Sequence, residues 1–286
     1  MHKTQCDVGW MSQMTVVNTS RVVTPRRGAL AGLLLMLLAG CSTLPHAGTP
    51  RKPALSNNPA VVPVAKLEQD HYDWFGRHEE ILRIKNTVNP DVVFIGDSIT
   101  HQWGGTPASK PHPNPGENVL KTTLGKYRTL NLGFGWDRTQ NVLWRIDHGE
   151  LDGLHPKAVV IHIGTNNTSD GHARRNTAEE IAAGINAVCE RVHAKVPHAK
   201  IILMAIFPRE AKPDHPRRLL IAETNHLLPY VAEEQHALLV DLTPNMLLPD
   251  GELPRSIAKD LCHLTPQGYQ VWADALLPLL ANMETR

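Results

Sequence analysis

Val92-Val93-Phe94-Ile95-Gly96-Asp97-Ser98-Ile99-Thr100 is the stretch on which the fold turns. Its first four residues are apolar, three of them β-branched, and read as a short strand covered on both faces. The run breaks at Gly96, and a small hydroxyl residue, Ser98, follows two positions on. In open α/β sheets ligands bind just beyond the carboxyl ends of the strands, so a serine here faces the expected site. On its own such a serine is more often a turn residue or a helix N-cap than a nucleophile. The rest of the chain decides between these readings.

Outward from that strand, apolar runs alternate with helical periodicity. Upstream, Leu67, Trp74, Phe75, Ile81, Leu82 and Ile84 recur at roughly helical spacing as far as Asn89-Pro90. His71 and His78 fall on the same segment and read as solvated surface. Downstream, residues 101–118 contain four prolines and three glycines, a loop placed to wall one side of a cleft. Further strands are expected near Thr129–Phe134, Ala158–Ile163, Lys200–Phe207 and Ala237–Leu242. Helices are expected through Val142, Leu143 and Ile146, over about 177–194, up to about His236, and from Thr265-Pro266 through Trp272, Leu276 and Leu280. His162 alternates with apolar neighbours and reads as a satisfied core histidine. Five strands alternating with helices predict an α/β fold, a three-layer α/β/α sandwich on a five-stranded parallel sheet.

The N-terminal part has a different character. Arg26-Arg27 precede an apolar run, Gly28 to Gly40, of 13 residues. That is short of the ~18 needed to span a bilayer. A basic start, an apolar centre and small residues before a cut describe a secretory signal over residues 1–40, with Met11 and Met14 as alternative starts. Leu38-Ala39-Gly40-Cys41 resembles the lipobox of bacterial lipoproteins. That resemblance implies that Cys41 bears a lipid, anchoring the protein in the bacterial cell envelope and facing the periplasm. Residues 41–65 are rich in Pro, Ala, Ser, Asn and Thr and predict a tether. Residues 66–286 form the expected domain. Without residues 1–40 the chain carries a net charge of −2 and shows no basic stripe, which argues against nucleic acid as a partner. The four cysteines, Cys6, Cys41, Cys189 and Cys262, have no metal-ligand spacing. Cys189 reads as a small buried apolar residue, and a Cys189–Cys262 disulfide is the alternative.

Acyl transfer needs a nucleophile, a base, a carboxylate that orients the base, and donors aimed at the developing oxyanion. Each has a candidate at a strand end or just beyond one: Ser98, His263, Asp260, and the turns at 133–137 and 164–167. Asp260 and His263 stand three apart, close enough for a carboxylate to accept from the imidazole Nδ1–H and leave Nε2 free to take a proton. Gly133-Phe134-Gly135 begins like a dinucleotide fingerprint, but Arg138 stands where the third glycine belongs, so no nucleotide cofactor is expected. There is no His-Glu-x-x-His, and no metal is expected. An α/β-hydrolase elbow would need Gly-x-Ser-x-Gly, and position 100 is Thr.

Gly96-Asp97-Ser98, the Gly133-Phe134-Gly135-Trp136-Asp137-Arg138-Thr139 turn, Gly164-Thr165-Asn166 and Asp260-x-x-His263 resemble the four blocks of the GDSL/SGNH hydrolase superfamily. Asn131-Leu132-Gly133, Asn141-Val142-Leu143-Trp144-Arg145, Gly149-Glu150-Leu151 and His263-Leu264-Thr265 are similar to the catalytic subunits of platelet-activating-factor acetylhydrolase type Ib. The resemblance implies an SGNH/flavodoxin-like fold with Ser98 as nucleophile, His263 as base and Asp260 as its orienter. It implies an oxyanion hole made by the Ser98 N–H, the Asn166 amide and a backbone N–H of the second block. The family's glycine before the Asp of that block is Trp136 here, with Gly135 as the alternative donor. The implied function is a serine esterase acting on short, above all acetyl, esters, with acetylated carbohydrate as the first substrate class. A lysophospholipase or arylesterase is the second reading. A non-catalytic glycan-binding module, using Trp136 and Trp103 as stacking surfaces, is the third. Relatives of this kind form dimers, so the resemblance also implies a possible homodimer.

Overall fold

The computed structural model describes residues 57–108, 113–171 and 173–284. The expected signal segment, Cys41 and the tether as far as residue 56 lie outside the described residues. Five strands form one parallel sheet: β1 (Val92–Gly96), β2 (Thr129–Gly133), β3 (Ala158–His162), β4 (Lys200–Met204) and β5 (Leu238–Val240). Their order is β2-β1-β3-β4-β5, which puts the reversal of strand order at the end of β1. Ligand crevices of open α/β sheets form at such a reversal, so the topology locates the site directly after Gly96.

Alternate side chains of each strand point to opposite faces, and the two faces build separate cores. Val93, Ile95, Leu130, Leu132, Val159, Ile161, Ile201 and Leu203 face α1 (Trp74–Val88), α4 (Thr139–Asp147), α5 (Ala178–Lys195) and α6 (Pro216–Glu234). Val92, Phe94, Val160, Ile202 and Met204 face α3 (Glu117–Leu124), α7 (Thr243–Met246) and α8 (Pro266–Glu284). The three-layer sandwich expected from the alternation is therefore the fold. Among the described residues no helix is long and apolar enough to cross a membrane.

Local chemistry sets the element ends. The Asp73 carboxylate accepts from the Gly76 N–H at 2.9 Å and starts α1 there rather than at Leu67. Asn89 closes the helix in the left-handed region, φ 44°. Thr177 and Glu180 cap α5 reciprocally, at 3.2 and 3.1 Å. Thr265 caps α8 as its sequence predicts, its Oγ1 accepting from Gly268 N–H at 3.2 Å.

Three expectations need correction. Residues 57–65 are packed structure and not tether: Ala60 is fully buried, Asn58 donates to Glu180 O at 3.1 Å, and Asn141 donates to Val64 O and Ala65 O at 3.1 and 2.6 Å. A strap of side-chain-to-backbone bonds needs little apolar sequence, so composition concealed it. His71 precedes α1, and His78 is buried, its Nδ1 2.9 Å from Glu150 Oε1. Trp103 is buried against Phe94 and Trp272, with ring centroids 5.0 and 4.1 Å away, so it offers no face to a ligand.

Candidate active site

Asp97 accepts from the Ile99 N–H at 2.9 Å and so caps the short helix α2 (Ser98–His101), which holds Ser98 at the carboxyl edge of β1. The first N–H groups of a helix have no intrahelical acceptor, and the Ser98 N–H has no backbone acceptor among the described residues. Tyr269 of α8 donates to Ile99 O at 2.6 Å, fastening the last helix to this turn. The segment before α8 then brings His263 Nε2 to 2.9 Å from Ser98 Oγ.

Asp260 fixes that imidazole from the other side. Its Oδ2 lies 2.7 Å from His263 Nδ1, while Oδ1 accepts from the His263 and Cys262 N–H groups at 2.7 and 3.1 Å. Between them Leu261 takes a left-handed conformation, φ 65°, which folds the chain so that acid and imidazole meet. Partial burial pulls the Asp260 carboxyl upward, but the bonds from the His263 ring and backbone outweigh it and hold it below the ordinary carboxylate value.

The register of the sheet brings the other two blocks to the same edge: Gly96 pairs with Gly133 on one side and with His162 on the other. A Cβ at Gly133 would collide with the backbone of Thr100 and His101, so the close approach of β2 to α2 requires glycine. Asn166 is buried, and its Nδ2 donates to Asp137 O at 2.9 Å. Gly135 N–H is taken by His101 Nδ1 at 3.3 Å. Trp136 N–H has no acceptor among the described residues. Trp136 adopts φ 63°, the left-handed region where glycine is at ease, and the residue is 49% exposed. The substitution for the family's glycine is therefore accommodated as strain, with the ring turned out to solvent.

Two buried carboxyls lie behind these turns. Burial pushes Asp97 up to about 7 and Asp137 up to about 6. His162 is neutral in the core: burial pushes it down to about 3, and its Nε2 accepts from Phe207 N–H at 3.2 Å. Cys189 and Cys262 are free thiols, which rules out the alternative disulfide.

The raised Asp97 has a consequence for stability. Its native form prefers the proton, so the stability it contributes is fully present below the ordinary carboxylate value and is lost as pH rises through about 7. Asp97→Asn keeps the cap oxygen and removes the ionisable group. The melting temperature of the variant minus that of the parent is expected to rise by about 5–10 °C between pH 5 and pH 8.5. An offset equal at both pH values would mean that Asp97 ionises in the folded domain without cost.

Hydroxyl, imidazole and carboxylate joined in sequence can transfer a proton from Ser98 to His263 as the serine attacks a carbonyl. This is the chemistry of a carboxylic ester hydrolase of the serine type. A profile of the GDSL-like lipase/acylhydrolase family matches residues 94–271, and the chain belongs to that family. It is 33% identical over 218 residues to platelet-activating factor acetylhydrolase IB subunit alpha2 of Homo sapiens, covering 74% of this chain and 86% of that one. To subunit alpha1 of Bos taurus it is 31% identical over 234 residues, covering 80% and 92%. An acetylxylan esterase from Geobacillus stearothermophilus shares the fold with a TM-score of 0.52 at 21% identity, over 66% of this chain and 93% of that one.

The structure joins Ser98, His263 and Asp260 by hydrogen bonds and ties Asn166 to the second-block turn through Asp137 O, while the supports of that turn were the part that sequence reasoning missed. Arg145 sits in an apolar helical run, Val142-Leu143-Trp144-Arg145-Ile146, and a charge on a core-facing position was the available signal.

Proposed function

We propose that the protein hydrolyses short acyl esters, acetyl above all, through Ser98, His263 and Asp260. The unbroken relay from Ser98 Oγ through His263 to Asp260 supports this most directly. Ser98 Oγ attacks the ester carbonyl while His263 Nε2 takes its proton. The oxyanion accepts from the Ser98 N–H, the Trp136 N–H and the Asn166 amide; the engagement of Gly135 N–H with His101 favours Trp136 as the second-block donor. His263 then protonates the leaving alcohol. A water, deprotonated in turn by His263, releases the acid and restores Ser98.

The substrate class we favour is an acetylated carbohydrate. Exposed Trp136 at the rim offers a flat apolar surface to a sugar ring, and the names of related and similarly folded proteins include an acetylhydrolase and an acetylxylan esterase. Hydrolysis of p-nitrophenyl esters of increasing chain length, alongside acetylated xylo-oligosaccharides, tests this reading. A preference for acetate together with release of acetate from the oligosaccharide is expected. A preference for long chains would point to a lysophospholipase or arylesterase, and binding of glycan without turnover would point to a non-catalytic module. We also propose that Cys41 carries a lipid, on the strength of Leu38-Ala39-Gly40-Cys41. The full chain should then partition into a detergent phase, and Cys41→Ser should abolish the partitioning.

A further inference from the structure

Behind the turn of residues 134–137 runs a buried line of charged side chains that makes no contact with the reacting atoms. Asp137 Oδ1 accepts from Trp74 Nε1 at 2.7 Å and Oδ2 from Arg145 Nε at 2.8 Å. The second arm of Arg145 bonds Glu150 Oε2, and Glu150 Oε1 meets His78 Nδ1 at 2.9 Å. The flat face of the guanidinium covers the Phe134 ring, 4.0 Å from its centroid. Asp137, Arg145 and Glu150 are all essentially inaccessible to solvent. We propose that this line, Asp137–Arg145–Glu150–His78, positions the Trp136 N–H and the Asn166 amide for the reaction, so that its members are positioning residues of the ester hydrolase. The proposal rests on the oxyanion assignment made above.

Asp137 is the junction. Its carbonyl accepts from Asn166 Nδ2 at 2.9 Å, which spends one N–H of that amide and fixes the direction of the other. Its N–H donates to Phe134 O at 3.3 Å, closing the turn that contains Trp136. Its carboxylate is hydrogen-bonded from α1 and α4 together, through Trp74 and Arg145. A tryptophan at φ 63° persists only where its surroundings over-determine it, and the grip on the next residue does so.

Stability alone does not account for such a line. Buried ion pairs are often matched or bettered by well-packed apolar side chains of the same volume, and in some proteins they are kept for the single arrangement they specify. Arg145 is suited to this because its planar fork holds two carboxylates in fixed directions, which the single ammonium of lysine cannot do. Donors aimed in advance at a developing charge lower the barrier only while they keep their aim.

The test is a double-mutant cycle on kcat with p-nitrophenyl acetate, using Arg145→Lys and Asn166→Ala, well below each variant's melting temperature. Arg145→Lys is expected to lower kcat by about 10- to 100-fold with KM changed by less than about 3-fold, and Asn166→Ala to lower it by about 10²–10³-fold. Because Arg145 acts through Asn166 and Trp136, the double variant should lose far less than the product of the two. Glu150→Gln, which keeps shape and one bond, serves as a milder second variant and should lower kcat by about 3- to 10-fold. Losses that track only the unfolded fraction, or that multiply in the double variant, would overturn the positioning role. An unchanged kcat in Asn166→Ala alone would instead remove the oxyanion assignment beneath it.

Discussion

Ser98→Ala should leave a folded domain whose kcat on p-nitrophenyl acetate is lower by roughly 10⁴- to 10⁶-fold. The fold has little stake in the hydroxyl. Its hydrogen bond to His263 joins two segments that Tyr269 already ties through Ile99 O, and the helix cap belongs to Asp97. The chemistry depends on it entirely, because among the described residues Ser98 Oγ is the group hydrogen-bonded to His263 Nε2. The Ser98 N–H survives in the variant, so residual turnover reports what the oxyanion donors and a His263-activated water achieve without a nucleophile. Melting curves beside the kinetics separate loss of chemistry from loss of structure. Activity within a few-fold of the parent would dismiss Ser98 as the nucleophile.

Asp260→Asn is expected to cost about 10²- to 10⁴-fold in kcat with KM nearly unchanged. The asparagine oxygen can still accept the Cys262 and His263 N–H groups that Oδ1 holds now, so the tight segment keeps its shape. What changes lies at Oδ2. An amide NH₂ there donates to Nδ1, which forces the imidazole proton onto Nε2, where it cannot accept from Ser98. The imidazolium formed during attack also loses its partner charge. The lower end of the range reflects exposure: the Asp260 side chain is 56% accessible, and water can replace part of its role. A loss below about 5-fold would show that the backbone, rather than this carboxylate, orients His263.

How far the chain discloses itself depends on the range of the interactions involved. Residues Val92–Gly96 announce a buried strand through their own character, and the alternation of such runs with helical periods leads directly to the parallel sheet. Ser98 and Asn166 are legible because each stands in a short run at a strand end, and Asp260 and His263 because they share one short run directly before a legible helix start. His78 is not legible in this way. Its partner Glu150 is 72 residues away, and nothing around His78 in the chain separates a buried, paired imidazole from a solvated one. Trp103 was misread for a related reason, since the rings that bury it include Tyr269 and Trp272 of α8, far downstream. The strap at 57–65 failed differently: its grip comes from main-chain oxygens, which every sequence possesses and none displays.

The two thiols of the domain remain to be placed. Burial pushes Cys189 up to about 12 and Cys262 up to about 11, so neither offers much thiolate at neutral pH. No disulfide joins any of the described residues. The described fold therefore owes nothing to a disulfide, and its stability does not depend on the redox state of the compartment that holds it.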